Sequence, residues 1–109
     1  GGYKMIVEGC EKLDTDWMTL NATATLPPET RIEFRVKVAG TRDELADPAL
    51  HVYGPWITAA GGPNELPADL SALPPGRFIE LELFLISTDR DATPVLRGID
   101  VRFQCEIEE

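Results

Sequence analysis

The chain has 109 residues, a formal charge of −9 and 43% hydrophobic content, which suits one ordinary domain with a single core. The acidic balance argues against nucleic acid, because phosphate neutralisation needs a Lys/Arg surplus. It equally disfavours anionic lipid, and no apolar run reaches membrane-spanning length. The leading Gly1-Gly2 lacks an initiator Met and looks like a tag remnant, so residues 1–109 read as one domain cut from a longer protein, of unknown compartment.

In chain order, Tyr3–Glu8 is a weak strand pattern. In the next, WMTLNATAT, Met18, Leu20, Ala22 and Ala24 form the apolar set, opposite Trp17, Thr19, Asn21, Thr23 and Thr25. By that parity Trp17 points outward. Pro27-Pro28 then breaks the chain before Ile32, Phe34, Val36 and Val38, which alternate with Arg31, Glu33, Arg35 and Lys37. A weaker strand over Leu50–Thr58 is interrupted by Gly54-Pro55, so it belongs at a sheet edge or carries a bulge. With Leu50 and Val52 inward, His51 points outward.

The segment AAGGPNELPADLSALPPG is the longest loop. Its Leu66, Leu70 and Leu73 fit it to pack over an open end of the domain, and PADLSAL supplies at most one short turn. Ile79, Leu81, Leu83 and Leu85 follow in RFIELELFLIS, with Glu80 and Glu82 on the other face. The last strand sets Ile99, Val101, Phe103, Cys105 and Ile107 against Asp100, Arg102, Gln104, Glu106 and Glu108. Strands with one wet face belong to antiparallel sheets. Six or seven of them joined by Gly/Pro-rich connections predict an all-β antiparallel sandwich. A jelly-roll, galactose-binding-like order is favoured over an immunoglobulin-like one, although alternation carries no direct trace of Greek-key connections.

Cys10 and Cys105 are the two cysteines. Each lies near the end of a terminal strand pattern, so a disulfide would tie the ends of the domain together; two buried thiols are the alternative.

Residues able to carry chemistry are few. The single histidine, His51, accompanies no nucleophile, metalloprotease, P-loop or dinucleotide motif. Glu80 and Glu82 stand about 7 Å apart on one strand face, within range of a glycosidase pair. Cross-strand pairing with Arg35, Lys37 or Arg102 is the simpler role. Asp89 and Asp91, with Thr93, imitate the start of a calcium loop, but Pro94 breaks the EF-hand pattern. A structural calcium there, or among Glu8, Glu11, Asp14 and Asp16, is weighed against the ordinary preference of aspartate for turns. No other cofactor is expected. Trp17, Tyr53, Trp56 and His51 would make an aromatic platform for a sugar, with Arg35 or Arg97 reaching its hydroxyls; sealing a core edge is the competing role for both tryptophans. Asn21-Ala22-Thr23 is a sequon, meaningful only in a secreted eukaryotic protein.

Together DWMTLNATATLPPETRIEFRVKVAG, the Trp56 of YGPW and the closing PPGRFIELELFLISTDRDATPVLRGIDVRF resemble a β-sandwich domain of phage tail-like, contractile-particle proteins. The pattern is Trp, LPxxT, a middle Trp, a Gly-Arg-aromatic start and TPVL, and it spans Trp17 to Phe103. Similar endings occur in bacterial carbohydrate-binding sandwich domains. The resemblance implies a non-enzymatic structural or interaction domain whose partners are other subunits or domains of the same assembly. The alternative, a carbohydrate-binding or receptor-binding module with a glycan partner, is suggested by the aromatic and basic groups near LHVYGPW. On this reading the turn before TPVL is architecture, with Pro94, Val95 and Leu96 pinning the start of the last strand.

Overall fold

Seven strands and one short helical turn make up the computed structural model, which describes residues 2–10, 15–88 and 91–105. The strands are β1 (Gly2–Glu8), β2 (Thr15–Thr25), β3 (Thr30–Ala39), β4 (Tyr53–Ala59), β5 (Ala68–Asp69), β6 (Phe78–Ser87) and β7 (Val95–Cys105). They form two antiparallel sheets, ordered β1-β6-β3-β4 and β5-β2-β7. The fold is a β-sandwich.

Alternation explains most of this. Ile32, Phe34, Val36 and Val38 of β3 and Ile79, Leu81 and Leu83 of β6 are buried, and Leu20 of β2 meets them from the other sheet. Burying a side chain of this size gives about 1.5–3 kcal/mol, so this inner layer is the main source of cohesion.

Three bulges alter the parity read from the sequence. In β2, Trp17 pairs with Phe103 and Thr19 with Arg102, leaving Met18 as the extra residue. One inserted residue flips every position before it. Trp17 therefore joins Leu20 inside, 3% exposed, while Met18 faces out. The expectation of an outward Trp17 and inward Met18 is thus corrected. In β7, Arg97 is the extra residue between Leu96 and Gly98, which turns Leu96 inward despite its even number. In β4 the extra residue falls at Gly54-Pro55, between the Phe34–Trp56 and Val36–Tyr53 pairs. β4 is also a sheet edge, so both expectations for Pro55 are met. Gly54 has φ +100°, a backbone region that side chains avoid. Residues 50–52 lie outside the strand, and Val52 is exposed rather than inward.

The segment between β4 and β6 crosses from one sheet to the other and closes that side of the sandwich. Leu70 and Leu73 are buried in the core, with Leu66 packed beside them. In PADLSAL, Ala68–Asp69 pairs with β2, and one short turn follows, closed by Leu73 N–H donating to the Leu70 carbonyl at 3.0 Å. The Asp69 carboxylate accepts the Ser71 N–H at 2.9 Å, and hydrogen bonds from the Ser71 backbone and then its side chain hold this acid below its ordinary range. The helical turn lies at Asp43–Ala46. There Glu44 N–H donates to Thr41 Oγ1, whose hydroxyl donates back to Glu44 Oε1. Leu45 of this turn joins Phe78 and Ala39 in a second small core.

Candidate functional site

The sandwich is closed on one long side only. On the other, β1 edges the four-stranded sheet and β7 edges the three-stranded one. Their chain directions agree. Tyr3 of β1 and Val95 of β7 line one groove, and Cys10, just past β1, is bonded to Cys105 at the end of β7. Between that bridge and the β6–β7 connection, whose Pro94 lines the groove, β1 and β7 each have a paired strand on one side only among the described residues.

The consequence is an apolar inner row left partly in water. Tyr3, Met5 and Val7 stand opposite Leu83, Leu81 and Ile79 on the inner face of their sheet. The β6 residues are buried, yet Tyr3 is 61% and Met5 42% exposed. Facing them, Ile99 and Val101 are half-buried and Phe103 is 38% exposed, its ring edge-on to Trp17 at 5.4 Å. At the β7 start, Tyr3, Leu85, Pro94, Val95 and Leu96 enclose a groove of about 400 Å³. Scattered apolar residues are normal on a surface, whereas contiguous apolar patches larger than a few hundred Å² are rare on monomers. Among the described residues β1 and β7 each have a paired neighbour on one side only, so each is a sheet edge.

Two polar features border this side. At its disulfide end, Cys10 N–H donates to Thr15 Oγ1 at 2.8 Å, and the residue opposite Thr15 is Cys105. Of the two alternatives for the cysteines, the structure has Cys10 bonded to Cys105. Nearby, Glu8 Oε1 accepts from Arg77 Nη2 at 2.6 Å, and Arg42 Nη2 lies 3.9 Å from its other oxygen. Both guanidinium groups lie over the Phe78 ring, at 5.1 and 5.3 Å. This cluster ties the end of β1 to the start of β6 and leaves Glu8 little freedom to bind a cation.

The remaining predicted site residues do not converge. Trp17 is in the core. Arg35 lies on the outer face of the four-stranded sheet, 4.9 Å from the Phe84 ring centroid. Trp56 and Tyr53 sit opposite Phe34 and Val36 and pack against the core at the β4 edge. His51 is exposed, its ring 4.5 Å from that of Tyr53. Of the proposed sugar platform, only His51 and Tyr53 touch, with Trp56 further along the same edge. Arg97 donates to Thr25 Oγ1 at 2.7 Å.

Glu82 pairs with Lys4 at 3.4 Å and stands in register with Arg35; Glu80 stands in register with Lys37. Arg102 is on the other sheet and bonds Asp100 at 3.2 Å, so its expected pairing with these glutamates is corrected. Asp91 is exposed, and Asp89 lies outside the described residues, as do Glu11 and Asp14. Among the described residues no three His, Cys, Asp or Glu side chains gather as a metal site, and no helix is long and apolar enough to cross a membrane.

The open side itself was not anticipated. Tyr3, Met5 and Val7 alternate in the sequence as any inner row would, and only sheet order reveals that no described strand lies over Tyr3 and Met5. No protein-family model, curated protein or solved structure matches the chain.

Proposed function

We propose that the chain is a non-catalytic structural domain of a multi-subunit particle, of the phage tail-like kind its sequence resembles, and that its open side holds protein neighbours. The half-exposed inner row of Tyr3, Met5 and Phe103 carries this reading. Such a surface gains most from excluding water against another apolar face, and two free strand edges flank it. The role requires no cofactor. The test is turnover by the domain on a broad hydrolase panel, with a Glu80→Gln/Glu82→Gln variant as control. The expected result is none; turnover lost in the variant would refute the reading.

A second reading, carbohydrate recognition, rests on the exposed His51 ring against Tyr53. A stacking sugar at that edge would change the Trp56 emission and leave the buried Trp17 silent. Screening a glycan library by fluorescence, with Trp56→Phe as control, decides between the two. A saturable signal that disappears in the variant would favour the sugar.

A further inference from the structure

The β7 edge has a self-matching sequence. From Ile99 to Phe103 it reads apolar, acid, apolar, base, apolar: Ile99, Asp100, Val101, Arg102, Phe103. Run antiparallel to a copy of itself about Val101, it sets Asp100 opposite Arg102, Arg102 opposite Asp100, and Ile99 opposite Phe103. Side chains that oppose one another in a ladder share a face, so the apolar residues all stay on the inner face of the extended sheet. The charged ones all stay outside.

From this match we infer that β7 pairs with the β7 of a second copy of this chain, antiparallel about a two-fold axis through Val101. The inference rests on the reading of the open side as a protein-binding surface and names its occupant. The Asp100–Arg102 contact along each strand, at 3.2 Å, persists in the pair. Two such contacts docked antiparallel give four charges of alternating sign. Both side chains are ready for this, with 64% and 75% of their surface in water.

Charges on an edge strand ordinarily prevent indiscriminate pairing. Here they also select a register, because a shift of two residues sets Asp100 opposite Asp100 or Arg102 opposite Arg102. The two-fold axis brings the two open sides together, so Tyr3, Met5 and Phe103 of both copies leave water at once. A closed, isologous dimer results rather than a growing filament.

The β1 edge is the weaker alternative. Centred on Ile6, it would match Lys4 with Glu8. Lys4 is already paired with Glu82, and Glu8 with Arg77 on a neighbouring segment, so pairing there would break existing contacts.

Charge exchange tests the inference, with dimerisation followed by sedimentation equilibrium up to about 1 mM chain, where even weak association registers. Asp100→Arg sets like charges opposite each other at both symmetry-related positions, and so does Arg102→Asp. Each single variant is expected to weaken the dimer about tenfold. An equimolar mixture of the two is expected to restore it as a heterodimer, which also shows that both variants are folded. Lys4→Glu is expected to leave it unchanged.

A wild-type chain that stays monomeric throughout this range overturns the inference. So does a dimer indifferent to the single variants, or one that the mixture fails to restore. Each of these leaves the interaction reading standing if the hydrolase and glycan screens are silent, whereas turnover or glycan binding strikes that reading itself.

Discussion

Removing the Cys10–Cys105 bridge tests how this sandwich is held together along the side edged by β1 and β7. The cysteines are 95 residues apart, so the bridge restricts nearly the whole unfolded chain. The loop-entropy relation puts that restriction at about 4.7 kcal/mol at 25 °C. Unfolding entropy near the melting point is about 2.1 cal/mol/K per residue, which for 109 residues is about 0.23 kcal/mol/K. The expected loss is therefore about 20 °C in Tm. Native contacts at this end are expected to survive reduction, because Thr15 holds the Cys10 backbone and Trp17 packs on Phe103. The loss should then be almost all an unfolded-chain effect. Scanning calorimetry of the oxidised chain, the reduced chain and Cys10→Ala/Cys105→Ala would measure it, with the last two expected to agree. A fall of less than about 5 °C would refute the reasoning, showing that the unfolded chain is already compact or that the entropic account does not apply here.

Other expectations follow from close packing and from charge. Gly9→Ala places a Cβ 2.5 Å from Thr15 Oγ1 and 2.7 Å from Cγ2, beside a fully buried side chain, and should cost about 1–3 kcal/mol in urea unfolding; a neutral result would mean that this corner relaxes freely. Trp17→Ala should cost about 3–5 kcal/mol by the same assay, far more than Met18→Ala at the adjacent bulge position, and equal costs would contradict the assigned register. Glu80→Gln/Glu82→Gln should change stability by less than about 1 kcal/mol, as exposed or half-exposed pairs do. Asp69 has its acidity raised by Ser71. Its folded pKa lies below the unfolded one, so its contribution is present above the ordinary aspartate range and fades as pH falls through the lower folded value. An NMR titration placing its midpoint at or above an ordinary aspartate's would contradict the Ser71 contact.

The sequence alone carried the sandwich. Period-two runs in β3, β6 and β7 each commit one face to apolar atoms, and that choice hardly depends on which strand lies alongside. Leu70 and Leu73 also declared their loop a lid, since apolar residues in a Gly/Pro-rich connection must find cover. Tertiary structure decided everything set by counting across strands. A bulge at Met18 reverses the parity of Trp17, and no local pattern distinguishes an inserted residue from an alternating one. Arg102 lies on the sheet away from Glu80 and Glu82, because composition names compatible charges but not the layer that each occupies. Tyr3 and Met5 have the pattern of buried residues and stay partly in water, because burial belongs to the pair of surfaces in contact, and among the described residues only one such surface lies on that side of the sandwich.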